Sequence, residues 1–322
     1  LRNNTFFSRA TPVRTRIGFD QKFNRSHDLE EFMAEAIRGS ESTDLMEKLL
    51  EITPMTPTIG AVINNVDMSK PCSPDLVAAL REALLTHKVV FFRDQDITSQ
   101  QQIDFAKNFG ELEVHPFAPH KEGFPEVLAI THDKDNPGKE NVWHSDVTWR
   151  EVPSLGSILR GIELPATGGD TLFSDSYAAY DGLSDEVKAK IEGKKAVHDF
   201  AHFRKMMKAK GLSAEKIEEM NKKYPMVEHP VVRTHPETGR KGVYVNAAFT
   251  QYIVGMERDE SDALLQHLYA QAQTPEYQCR FHWEKNSVAF WDNRACQHYA
   301  VSDYWPAVRR VERVTIIGDK PY

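Results

Sequence analysis

Apolar positions recur at two different periods along this chain, and the change of period divides it. Over residues 26–39, Leu29, Phe32, Met33, Ala36 and Ile37 fall on one side of a helix that Ser26 can cap. Leu45, Met46, Leu49 and Leu50 predict a second, shorter helix over about 43–51. Pro54 and Pro57 then interrupt the pattern. From Ile59 the texture turns to short β runs. Residues 59–63 read as a strand, and the unbroken apolar run through 88–93 predicts one buried on both faces. Between them, Ser73-Pro74 places a cap before a proline at the first helical position of a helix reaching about Lys88. Thr98 and Gln101 have capping-box spacing, and Gly110 suits the end of the helix they open.

Residues 111–142 carry Pro116, Pro119, Pro125 and Pro137 and are expected to be mostly loop. Residues 143–149 then alternate as a strand would, with His144, Asp146 and Thr148 on one face. Strands are expected over 154–162 and 170–174, separated by a turn at 165–169. Residues 175–223 read as mainly helical, with one strand at 194–200, and form an expected insertion, a candidate lid, between two halves of a β core. Strands at 229–235 and 242–246 flank a glycine-bearing turn, a helix spans about 258–273, and β signals crowd the end at 278–283, 287–291, 296–301 and 311–317. Many short strands with helices grouped outside them predict a mainly β fold with surrounding helices, a sandwich or jelly roll.

Composition narrows the function classes. The 322 residues suffice for one large domain or two small ones. Forty basic against 47 acidic residues give a net charge of −7 with no basic stripe, so no nucleic-acid partner is expected. No apolar run approaches a membrane span, so no membrane partner is expected either. Cys72, Cys279 and Cys296 are too scattered for a disulfide framework or a zinc site, which makes a reducing, cytoplasmic compartment the expectation. The start carries five arginines and little acid through Arg25, the composition of an organellar transit peptide, and that destination is the alternative. The sequence is compatible with a homo-oligomer. No glycine-rich nucleotide-binding motif occurs.

The alternating stretch holds the candidate chemistry. His144 and Asp146, two apart on a strand, would aim an imidazole and a carboxylate at one point. With a distant histidine they would complete a 2-His-1-carboxylate triad, which holds Fe(II) and leaves positions open for substrates and oxygen. His298 is the candidate third ligand. Three His-x-Glu pairs compete: His120/Glu122, His235/Glu237, whose acid is expected to be exposed in a hairpin turn, and His282/Glu284. Arg309 and Arg313, four apart, would share one strand face with Val311 between them, and arginine's planar fork suits a carboxylate.

Four runs together carry a resemblance: 87–95, 143–148, 163–172, and 291–300 with 309–321 behind it. Over about 57–322 the chain resembles the taurine/2-oxoglutarate dioxygenases, non-haem Fe(II) enzymes. The resemblance implies a double-stranded β-helix (jelly roll) core, with residues 1–56 as a partly helical extension. It implies His144, Asp146 and His298 as iron ligands, Thr171 and Arg309 as holders of the distal carboxylate of 2-oxoglutarate, and Arg313, His115 and the Val147 backbone around the substrate's sulfonate. The implied reaction consumes O2 and 2-oxoglutarate, yields succinate and CO2, and hydroxylates a small organic anion; a sulfonate hydroxylated beside sulfur collapses to an aldehyde and sulfite. Taurine is the leading expectation, with other sulfonates, alkyl sulfates, carboxylates and phosphonates open. The amine end departs from the family's pattern. Glu140 stands where an amine-contacting asparagine is expected, either as an ammonium holder or turned to solvent, Ala118 replaces an aromatic hydroxyl, and the lid around Phe203 and Arg204 differs. A catalytically silent, metal-binding interaction module is the alternative in another class; the intact ligand set speaks against it.

Overall fold

The computed structural model describes residues 43–322 except 117, 118, 139 and 210; the helix expected over 26–39 and Ala118 lie outside these. Residues 43–49 are helical (α1). They lead to β1 (Ile52–Pro54), β2 (Ala61–Ile63), α2 (Pro74–His87), β3 (Val89–Phe92) and α3 (Ser99–Lys107). β4 (His120–Lys121), β5 (Phe124–His132), β6 (Ser154–Glu163) and β7 (Thr171–Asp175) follow. The insertion then comprises α4 (Ser176–Asp181), α5 (Asp185–Ile191), β8 (Lys195–His198), α6 (Ala201–Ala209), α7 (Ala214–Lys223) and β9 (Val227–Pro230). β10 (Val232–Thr234), β11 (Lys241–Val243), β12 (Thr250–Ile253), α8 (Arg258–Gln271), β13 (Gln278–Phe281), β14 (Val288–Asp292), β15 (Cys296–Ala300) and β16 (Arg309–Ile317) complete the chain.

Both helix starts read from caps are present. Ser73 Oγ accepts from the Leu76 N–H, and Thr98 and Gln101 form the reciprocal capping box. Each such cap contributes about 1 kcal/mol.

An eight-stranded sheet, in the order β1-β2-β3-β14-β6-β16-β5-β4, packs against a three-stranded sheet, β13-β7-β15. Alternation along the large sheet decides what meets what. Val90, Phe92, Val288, Phe290, Val314 and Ile316 pack with Leu80, Leu84, Ile103 and Phe105 of α2 and α3. Their neighbours Val89, Phe91, Ala289, Trp291 and Val311 turn the other way, onto Phe173, Phe281 and Cys296 of the small sheet. Phe91 stacks on Phe281 with ring centroids 4.0 Å apart. β3 is apolar throughout because it is covered on both faces. Among the described residues no helix is long and apolar enough to cross a membrane.

Four expectations need correction. Residues 111–142 are not loop throughout: β5 is a nine-residue strand paired with β16 from Val127 to His132. Pro125 hid it, yet Pro125 precedes that pairing and removes no ladder donor there. Residues 143–149 are not a strand; His144 makes a single bridge to His298 and a turn follows. The strand expected over 229–235 is two, β9 joined to β8 and β10 joined to β11. Finally, β12 lies where no element was expected.

Candidate active site

Three chain segments converge between the two sheets. β15 and the segment after residue 142 are joined by a reciprocal pair of backbone bonds: His144 N–H donates to His298 O at 3.1 Å, and His298 N–H to His144 O at 2.8 Å. This places the two imidazoles with centroids 4.2 Å apart. Asp146 is brought in by Asn293, in the turn between β14 and β15. The Asn293 amide accepts from Asp146 N–H at 2.6 Å and donates to Asp146 O at 2.9 Å and to Ser154 Oγ at 3.0 Å. Asn293 falls within the 291–300 run, where the sequence assigns it no role; an amide in a tight turn between two strands is the signal that marks it.

One ligand atom from each of His144, Asp146 and His298 lies within 4.8 Å of the others, and this is the one such buried group found among the described residues. The donor set fits a divalent transition metal. His144 Nδ1 lies 2.8 Å from Val142 O, which fixes the proton there and leaves the Nε2 lone pair facing Asp146 Oδ1 at 3.9 Å. Burial, then the neighbouring His144, pushes His298 down to about 3, so it is a neutral donor. Burial would raise Asp146, but Arg313 and the two imidazoles outweigh it and hold the carboxyl well below the ordinary range. Thr148 does not share this face: the turn sends it into the insertion.

The rival pairs have other occupations. His235 is buried against Asp292 at 3.0 Å, and Glu237, expected to be exposed, is partly buried between Arg81 and Arg294. His282 bonds Asp170 at 2.8 Å.

Arg309, Val311 and Arg313 share the inner face of β16 and line one cavity with the metal-triad histidines and Thr171. The Gly168-Gly169 turn shapes its far end. Both glycines have left-handed φ, 79° and 71°, and a Cβ on Gly168 would fall 2.5 Å from Asp303 Oδ1. The turn delivers Gly169 O to Arg309 Nε at 3.2 Å, while Thr171 Oγ1 accepts from Trp283 Nε1 at 2.9 Å. Arg309 is buried, and that burial lowers its pKa. At the other end Arg313 donates to Asp146 Oδ1 at 2.8 Å. His115 lies close enough to feel Arg313 and Arg150; burial first, and these cations next, bring it down to about 3.

Glu140 is not at that end. Its carboxylate lies 3.1 Å from His132 Nε2 and acts on Arg309 and Tyr304. Beside Val147, Trp149, Phe200 and Met220 are buried together, with Phe203 and Phe249 packed against them.

Residues 51–315 match the family described as taurine catabolism dioxygenase TauD, TfdA family. The chain belongs to this family. It is 36% identical over 277 residues to an alpha-ketoglutarate-dependent sulfate ester dioxygenase of Pseudomonas putida, covering 84% of this chain and 91% of that one. Among solved structures it is similar to a taurine dioxygenase from Burkholderia xenovorans, with TM-score 0.73 and 38% identity over 84% of this chain and 92% of that chain. It is also similar to AAD-2 in complex with Mn(II) and N-oxalylglycine, with TM-score 0.72 and 30% identity over 84% and 98%. The TauD/TfdA chain described here is thus a 2-oxoglutarate-dependent dioxygenase, an enzyme that works with a metal ion and 2-oxoglutarate.

Two buried histidines of the insertion set its acid sensitivity. Burial, then His229, keeps His198 well below the ordinary imidazole range, and burial also lowers His229. Unfolded, both take up protons below about pH 6.5. The unfolded state then binds more protons than the native one, so stability falls as the pH drops below that value. A urea midpoint that stays flat down to about pH 5 would contradict this.

Proposed function

We propose that this enzyme hydroxylates the carbon bearing a sulfate or sulfonate group on an organic anion with an apolar body. His144, Asp146 and His298 would hold Fe(II), and Arg309 with Thr171 the distal carboxylate of 2-oxoglutarate. Arg313, His115 and the Val147 backbone would receive the substrate's anionic head. Fe(II) and 2-oxoglutarate supply the oxidising chemistry with O2: the keto acid becomes succinate and CO2 while one oxygen atom enters a C–H bond.

The protein's own part is placement. Arg309 is a buried cation without a carboxylate bonded to it among the described residues, which suits a dicarboxylate arriving from solution. Neutral His115 can donate a hydrogen bond without adding a second charge beside Arg313. The apolar cluster around Val147 keeps water from the target carbon. For a sulfate ester, hydroxylation of the ester-bearing carbon gives a product that releases an aldehyde and hydrogen sulfate. For a sulfonate it gives an aldehyde and sulfite.

The position of Glu140 carries the choice of substrate. It lines the cavity, but its carboxylate is paired with His132 beside Arg309, and the side chains buried around Val147 are aromatic and aliphatic and offer nothing to taurine's ammonium. The relation to a sulfate ester dioxygenase supports the same reading. The domain is read as residues 57–322, with a jelly-roll core, the 175–223 insertion as lid and 1–56 as an extension.

Succinate formed under air with Fe(II), ascorbate and 2-oxoglutarate tests this across hexyl sulfate, hexanesulfonate and taurine. Hexyl sulfate is expected to give succinate and inorganic sulfate in equal amounts and to exceed taurine by at least about tenfold in kcat/KM, since losing a paired ammonium site costs one to several kcal/mol. Taurine as the preferred substrate, with sulfite released, would overturn the apolar-body reading and return Glu140 to the amine.

A further inference from the structure

Val147 has φ 48°, in the left-handed region. The other non-glycine residues with positive φ among the described ones are Lys88, Asp94 and Asn286. Asparagine and aspartate tolerate this region, and a β-branched valine does not. Such a conformation persists only where its surroundings impose it. On one side the cause is Asn293, which grips Asp146 by both N–H and C=O.

On the other side it is Thr148, which is completely buried. Its hydroxyl is hydrogen-bonded to His198 Nδ1 at 3.0 Å and accepts from Asn246 Nδ2 at 3.0 Å. Both partners are themselves completely buried, and His198 Nε2 continues to Thr250 Oγ1 at 3.4 Å. His198 lies on β8, which pairs with β12, and it immediately precedes the Asp199-Phe200 step into α6. The threonine next to the metal-triad segment is therefore tied to the element that carries the lid helix. Among the described residues nothing accepts the Val147 N–H, although Val147 is buried.

We propose that the Thr148 hydroxyl, clamped by His198 and Asn246, is a positioning group that holds Val147 in its left-handed turn and so keeps the backbone beside Asp146 set for the substrate's anionic head. The clamp rests on the structure alone; its effect on the anion rests on the reading above. Valine in place of Thr148 keeps the shape, removes the hydroxyl and strands two buried partners. The restraint on Val147 is then gone, and φ is free to return to negative values.

The test is a double-mutant cycle on Thr148→Val and Val147→Gly, with hexyl sulfate binding measured by calorimetry under argon on the Fe(II)- and 2-oxoglutarate-loaded protein. Thr148→Val is expected to weaken hexyl sulfate about tenfold while leaving 2-oxoglutarate affinity unchanged. In the Val147→Gly background the same change should have little effect, because glycine takes positive φ without a clamp. A merely structural threonine would lower the melting temperature equally in both backgrounds and would not separate the two affinities. The crystal structure of Thr148→Val decides the clamp without any substrate: negative φ at Val147 supports it, and φ still near the wild-type value overturns it. Should wild type fail to bind hexyl sulfate, the substrate reading falls while this structural result still decides the clamp. If Thr148→Val does not fold, Asn246→Ala removes one of the two bonds and is read in the same way.

Discussion

Asp146→Ala is expected to leave a folded protein that no longer retains Fe(II) and forms no succinate above background. Losing even the outer supports of a metal ligand costs about 10–100-fold in affinity, so removing the ligand itself should exceed about 100-fold. Two effects act together. The only anionic donor of the triad disappears, and two imidazoles remain. Arg313, donating to Asp146 at 2.8 Å and largely buried, is left facing the metal position without its partner, and its charge repels a divalent cation. Asp146→Asn should lose nearly as much, since it keeps the shape and removes the charge. Metal titration by calorimetry and succinate assay check this. Iron affinity within tenfold of wild type would sink the assignment of the triad.

Arg309→Ala is expected to raise the KM for 2-oxoglutarate by about 100-fold or more, with a smaller change in kcat. Each charge-assisted hydrogen bond contributes about 1.5–3 kcal/mol, and a planar guanidinium offers two in parallel to a carboxylate. Arg309 is suited to this by its surroundings. It is buried at the end of β16, its Nε is engaged by Gly169 O, and its ring neighbour is Trp283. Arg309→Lys should recover only part of the loss, because an ammonium is a point charge that cannot bond bidentately. Initial rates at varied 2-oxoglutarate separate KM from kcat. An unchanged KM would move the cosubstrate carboxylate elsewhere in the cavity.

Much of the architecture was legible along the chain because its signals are local. Caps at Ser73 and Thr98 start helices by satisfying the first free N–H groups, and those bonds involve residues three apart. The apolar run of β3 announces burial on both faces whatever packs there. Arg309 and Arg313 share a face because strand periodicity requires it. The two histidines and one carboxylate, which the resemblance implies as iron ligands, do lie together in the fold.

What the chain alone misread was decided by contacts between distant residues. His144 and Asp146 were expected to converge by strand alternation; they converge instead through a bridge to His298 and the grip of Asn293, 147 residues away. Asn293 holds Asp146 on one side of Val147, and His198 and Asn246 hold Thr148 on the other, with Val147 at φ 48° between them. The chain left Glu140 open between an ammonium holder and a solvent-facing acid; in the fold its carboxylate lies 3.1 Å from His132 of β5. Sequence by itself pointed to His144, Asp146 and His298, through the resemblance that the 143–148 and 291–300 runs carry. Only the tertiary structure decided which way the carboxylates and the Val147 backbone face, because those orientations are set by hydrogen bonds across gaps that no local pattern encodes.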